Sequence, residues 1–247
     1  MYHKNSHHRH FVLLGASSVL LVFALLRQAT AEEPSLDSLT AKQIVKRMAE
    51  EYAKCKSYQD LGVVKTVSIH PDLKRTVEKP FTTAFVRPDR FRFEYRELKR
   101  ANREYRYIVY CNGKDIQTYW DVHRGIRKPE SLGMALAGAT GVSGGSARTI
   151  PSMLLPDEVS GRRLTDIPEL KRIDDVIFDK VDCFRIQSQS VGSPMTIWVD
   201  KNTFLLRRID AKRKFDDFRT ERTTTYEPVI NGEISDEMLK FDPPKSD

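Results

Sequence analysis

Apolar and polar positions along the chain follow two successive periods. Thr40-Ala41-Lys42-Gln43 has the spacing of a helix capping box. Ile44, Val45, Met48, Ala49 and Tyr52 then recur at helical intervals, with Lys42, Lys46, Arg47, Glu50 and Glu51 on the other side. This predicts an amphipathic helix from about residue 41 to 55, whose apolar stripe must lie on something, most simply a sheet.

From Leu61 the period becomes two. Phe91, Phe93 and Tyr95 alternate with Arg90, Arg92, Glu94 and Arg96, as a strand with one buried and one wet face requires. Tyr105, Tyr107 and Val109 continue the alternation to Cys111, Asn112-Gly113 signals a tight hairpin, and Lys114 to Trp120 reads as the return strand. Met195 to Val199, the turn Asp200-Lys201-Asn202-Thr203 and Phe204 to Ile209 predict a second hairpin. Val181 to Ser188 and Phe218 to Tyr226 add further strands. The pattern predicts a mainly β, antiparallel meander.

One segment breaks it. Ser131 to Leu155 is apolar and rich in small residues, and five of the chain's twelve glycines lie between Ser131 and Ala147. It reads as one or two short helices with glycine hinges crossing the sheet. Plain packing helices are the equal alternative.

The N-terminus reads as a secretory signal. Lys4 and Arg9 precede an apolar run from Phe11 to Leu26, and Ala29-Thr30-Ala31 offers a cleavage site after Ala31. The alternative is an uncleaved anchor in the inner membrane, but the apolar run is short for a span. No cysteine follows the cut, which speaks against a lipid anchor. Removing 1–31 takes away three of 41 cations and no acid, leaving 38 bases against 34 acids. So weak and interspersed an excess does not indicate nucleic-acid binding.

The chemistry-bearing residues are few. Four of six histidines fall in the signal, leaving His70 and His123 far from any carboxylate cluster, so no metal site and no cofactor is expected. Gly141-Val142-Ser143-Gly144-Gly145 matches a nucleophile elbow in letters, but both histidines precede Ser143 and no strand leads into it. A serine hydrolase is therefore the remotest reading, and no enzyme activity is expected. Gly138, Gly141 and Gly144 lack the spacing of a nucleotide loop. Asp174-Asp175 and Asp216-Asp217 sit in turn-like, charged surroundings. Cys55, Cys111 and Cys183 permit one disulfide, for which Cys55–Cys111 is the weak preference, or three buried thiols. Phe91, Phe93, Tyr95, Tyr107, Trp120, Trp198 and Phe204 all fall in predicted strands, as ordinary core or as the lining of a greasy cavity.

Two stretches carry a resemblance. Trp198-Val199-Asp200-Lys201-Asn202-Thr203-Phe204-Leu205-Leu206-Arg207-Arg208 is similar to the W-x-D-x-x-T-x-L-x-R hairpin of the periplasmic lipoprotein-carrier (LolA-like) superfamily, the outer-membrane lipoprotein-sorting type. Arg87-Pro88-Asp89-Arg90-Phe91-Arg92-Phe93 resembles its P-x-R-F-R strand. The resemblance spans roughly residues 38 to 244 and implies a single domain over 32–247. That domain would be an α+β, curved antiparallel half-barrel with an N-terminal helix and the helical insertion 131–155 on its concave side. It implies an exported, periplasmic lipid- or lipoprotein-binding carrier, served by an inner-membrane donor complex or an outer-membrane acceptor. The seven aromatics would then line an apolar groove for acyl chains, and Leu132, Met134, Leu136, Met153 and Leu154 would belong to a lid. The same fold also serves as an envelope sensor or protein-interaction module without lipid transport.

Overall fold

A computed structural model describes residues 35–98, 104–123, 125–188 and 193–244; the signal segment 1–31 lies outside them. Helix α1 runs Ala41–Lys54, and its capping box forms as predicted. Thr40 N donates to Gln43 Oε1 at 2.8 Å, and Gln43 N donates to Thr40 Oγ1 at 3.3 Å. Ala41, Ile44, Val45, Met48 and Tyr52 are the buried stripe.

The described strands form one open, curved, twelve-stranded antiparallel sheet. In chain order they are β1 (Ser57–Ile69), β2 (Lys74–Val86), β3 (Arg90–Leu98), β4 (Glu104–Asn112), β5 (Asp115–Trp120), β6 (Ile126–Arg127), β7 (Leu170–Phe178), β8 (Val181–Ser188), β9 (Met195–Asp200), β10 (Leu206–Lys214), β11 (Arg219–Tyr226) and β12 (Val229–Ile230). The spatial order is β6-β5-β4-β3-β2-β1-β11-β10-β9-β8-β7, with β12 beside β1. Asn112 pairs with Asp115 across the predicted hairpin, where Gly113 supplies a φ of 63°. The second hairpin is longer in its turn than predicted. Phe204, at φ 55°, belongs to the turn, and β10 begins only at Leu206.

This topology dictates where the insertion goes. The meander reaches one edge at β6 and resumes at β7, the opposite edge. The linking residues 128–169 must therefore cross ten strand spacings, on the order of 50 Å measured along the sheet. They do so over the concave face as three short helices, one more than the upper expectation: α2 (Leu132–Thr140), α3 (Ser146–Thr149) and α4 (Pro151–Leu154). Buried side chains of these helices, of α1 and of both halves of the sheet form one continuous apolar cluster.

Gly62 in β1 makes room for side chain and backbone of the two strands that flank it, β2 and β11. A Cβ there would lie 2.2 Å from Cζ of Phe81 and 2.6 Å from the Thr225 carbonyl oxygen, so the aromatic ring lies across bare backbone. Gly62→Ala is expected to destabilise the fold by about 1–3 kcal/mol, because the ring and the neighbouring strand must both give way. A urea midpoint equal to the wild type's would show that Phe81 is free to move.

Candidate functional site

Alternation along β1–β5 sends one set of side chains to the concave face. Tyr58, Asp60, Gly62 and Val64 of β1 stand in register with Phe85, Thr83, Phe81 and Lys79 of β2. Phe81, Thr83 and Phe85 in turn face Tyr95, Phe93 and Phe91 of β3. Tyr107 continues the row on β4 and Trp120 ends it on β5. The rings meet across strands in three groups: Phe85–Phe91 at 6.5 Å, Phe81–Phe93 at 6.1 Å, and Tyr95–Tyr107–Trp120 at 6.1 and 5.6 Å between centroids. The structure thus brings five of the seven predicted aromatics together as one floor. Phe91 and Phe93 are fully enclosed.

The other two lie elsewhere. Phe204 packs on Phe184 at 5.7 Å in the far half of the sheet, with the Arg47 guanidinium over its ring. Trp198 is on the outer face, and this corrects its assignment to the groove. Its neighbours Ile197 and Val199 belong to the concave cluster, so alternation turns Trp198 outward, where it pairs with Arg185 and lies under Arg208 at 4.9 Å.

The crossing segment covers the floor. Leu132, Leu136, Met153 and Leu154 are buried against it, whereas Met134 is 56% exposed and faces away. Gly138 passes close enough to Tyr107 that a Cβ would sit 3.1 Å from its hydroxyl. Cationic side chains of the sheet grip the segment by its backbone. Lys79 Nζ donates to Val142 O at 2.5 Å, Arg222 Nη1 to Gly144 O at 3.1 Å and Arg87 Nη2 to Leu154 O at 2.9 Å. Arg87 also donates to Cys55 O and Ala53 O, closing the end of α1.

A polar seam runs through this interior, and the sequence reading overlooked it. Asp60 is 2% exposed; Tyr58 donates to its Oδ2 at 2.7 Å, while Oδ1 and the Thr83 hydroxyl have no partner. Burial pushes the Asp60 carboxyl up to about 6. Burial also raises Tyr58, with the Asp60 charge adding to the effect. The signal was present in the period of two, since Asp60 occupies the same face as Tyr58, Gly62 and Val64.

The remaining sequence candidates are dispersed. Ser143 is buried; its hydroxyl donates to Thr140 O at 3.3 Å and accepts from Ala147 N at 3.2 Å, capping a turn. His70 stacks on Phe218 at 4.8 Å and His123 meets Trp120 at 4.7 Å. The three cysteines are free and buried, so the suggested Cys55–Cys111 bridge is absent. Two of the thiols turn to their own local backbone: Cys55 donates to Tyr52 O at 3.2 Å and Cys111 to Gly113 O at 3.3 Å. Among the described residues no group of three or more His, Cys, Asp or Glu could hold a metal ion, and no helix is long and apolar enough to cross a membrane.

The outer face carries a second buried polar group. Arg92, Glu94, Arg96 and Arg106 project outward from β3 and β4, and the C-terminal segment lies over them. Glu94 is 4% exposed and accepts from Arg92 at 2.5 Å, Arg96 at 2.7 Å and Arg106 at 2.8 Å. Burial raises its carboxyl, but the bonds and charges of Arg106 and Arg92 outweigh that and hold it at about 2.

No protein-family model and no curated protein matches this chain. Solved structures do resemble it. The lipoprotein LppX of Mycobacterium tuberculosis is 12% identical over 83% of this chain and 99% of its own, with a TM-score of 0.45. A putative outer membrane lipoprotein-sorting protein domain from Vibrio parahaemolyticus is 9% identical over 81% and 95%, at 0.37. A LolA superfamily protein from Nitrosomonas europaea is 11% identical over 83% and 99%, at 0.30.

Proposed function

We propose that the protein is an exported, carrier-like binder of lipids or lipoproteins, which holds acyl chains against the concave face of its half-barrel when the crossing helices move aside. The observation that carries this reading is the division of one apolar interior between a continuous sheet and three helices of nine, four and four residues. The first two of those helices are joined through glycines at positive φ, Gly144 at 70° and Gly145 at 97°. Their buried Leu132, Leu136, Ile150, Met153 and Leu154 each contribute about 1.5–3 kcal/mol by burial. An acyl chain of some sixteen carbons brings on the order of 12 kcal/mol at about 0.8 kcal/mol per methylene. The two sums are comparable. An acyl chain therefore supplies burial of the same order as these five side chains, and the tethers from Lys79, Arg87 and Arg222 add to what it must displace.

The reading requires no catalytic group and places the chain in the periplasm, between an inner-membrane donor and an outer-membrane acceptor. The enclosed rings of Phe91 and Phe93 favour a second reading, an envelope sensor or protein-interaction module whose interior stays closed.

Locking the cover separates the two. With cysteines at Gly138 and Tyr107 joined by a short bis-maleimide, uptake of a fluorescent fatty acid is expected to fall to background. The native thiols of Cys111 and Cys183 are buried and raised by that burial to about 11, so they react slowly. Uptake that survives the lock refutes the lid, and no uptake before locking favours the interaction module.

A further inference from the structure

A pocket of about 410 Å³ opens beside the cover, where α3 and the strap after α4 meet strands β8 to β10. Three of its lining residues are arginines, Arg148, Arg162 and Arg163, and none is acidic. Apolar Leu164, Ile167 and Met195 belong to the same lining. Asp166, the acid next to this group in sequence, accepts from Arg163 N at 2.9 Å and lines a different pocket, against α1.

The cations are only partly used within the fold: Arg163, first through its backbone N–H, and Arg162 help hold Asp166 below its ordinary value, and the Arg148 guanidinium packs on Gly161. Arg148 and Arg162 form no ion pair among the described residues, and the buried Nε of Arg148 has no hydrogen-bond partner. Arg163 donates through Nη2 to the Pro156 carbonyl, a neutral acceptor, and the nearest acid acting on its charge is Asp166. The hydroxyls of Thr149 and Ser152 already donate to helix carbonyls, at 3.2 and 3.0 Å, and the guanidinium groups are the only cations of the lining. A cation beside apolar side chains is costly to desolvate unless an anion arrives. Planar guanidinium groups match the oxygens of a phosphate in bidentate fashion.

We infer that this pocket binds a phosphate ester, with the anionic oxygens on Arg148, Arg162 and Arg163 and the ester's carbon portion on Leu164, Ile167 and Met195. The inference deepens the carrier reading and rests on it for the source of the ester, a lipid headgroup whose acyl chains continue under α2–α4. Free inorganic phosphate shares the anionic chemistry and lacks the carbon portion.

Calorimetric titration of the full chain with dihexanoyl phosphatidic acid, kept below micelle formation, tests it beside dihexanoylglycerol and inorganic phosphate. Arg162 is exposed, so Arg162→Gln leaves the fold undisturbed; Arg148→Gln removes the partly buried cation. Each variant is expected to weaken the phosphatidic acid about tenfold or more, with dihexanoylglycerol unaffected. Far-ultraviolet circular dichroism and an unchanged melting temperature verify folding. Phosphatidic acid and dihexanoylglycerol binding equally, both indifferent to the substitutions, overturns the phosphate site and leaves lipid binding standing. Inorganic phosphate binding as tightly as the lipid, and lost in both variants, upholds the anion site and removes the headgroup as its source. Absence of binding by all three probes overturns the proposal.

Discussion

Glu94→Ala is expected to destabilise the protein by about 3 kcal/mol, although the position reads as the wet face of a strand. The carboxylate sits among three guanidinium groups at 2.5–2.8 Å and is 4% exposed. Removing one partner of a buried ionic cluster leaves the others charged and unpaired, for which about 3–5 kcal/mol is typical. The lower end applies because Arg92 retains Asp242 at 2.7 Å and the Lys240 carbonyl at 2.8 Å. Arg106 keeps Asp242 as well, at 3.3 Å. Asp242→Ala is the internal control. Its side chain is 48% exposed, so the loss should stay within about 1 kcal/mol. The pH dependence has a definite sign. Glu94 titrates lower in the folded chain than in the unfolded one, so its stabilisation is complete above about 4.5 and disappears as pH falls toward about 2. Urea unfolding at pH 7 reads the first effect; equal losses for the two variants would refute the buried cluster.

Asp60→Asn should do the reverse and stabilise the protein by about 2–3 kcal/mol at pH 8. Asparagine still accepts the Tyr58 hydroxyl and offers an N–H to Thr83, whose hydroxyl has no partner in the wild type. It removes a charge that the apolar interior disfavours. The Asp60 carboxyl holds its proton up to about 6, against 3.8 when solvated. The folded state therefore binds protons more tightly, and this contribution is complete below about 3.8 and lost as pH rises through about 6. Wild-type stability attributable to Asp60 should drop by about 1.4 kcal/mol between pH 5 and pH 8, and the drop should vanish in Asp60→Asn. Urea unfolding at both pH values measures it, and parallel curves for the two proteins would contradict a buried, partly orphaned carboxyl.

These two residues also show where the sequence stops being legible. The capping box at Thr40 and the Asn112-Gly113 turn are local devices, and both formed as read. The Phe91-Phe93-Tyr95 alternation gave the correct face, because its other set is wholly charged. In Met195 to Val199 both faces carry apolar residues, so alternation alone does not tell Trp198 from Ile197 and Val199. The first half of β2, from Lys74 to Lys79, is mostly exposed and polar and leaves no periodic trace. Glu94 looked solvated because its cover, Asp242, lies about 150 residues away along the chain. The insertion's apolar, glycine-rich character was readable, whereas its division into three helices and its tethering by Lys79, Arg87 and Arg222 depend on tertiary approach.

A carrier of the proposed kind exchanges the helical cover of its concave interior for acyl chains. Native mass spectrometry of the full chain, purified without detergent from the cells that make it, tests this most directly. The expected result is a population heavier than the protein by a lipid or acylated peptide that collisional activation or organic extraction releases. A single species at the bare protein mass, unchanged after incubation with host lipid extract, would contradict it.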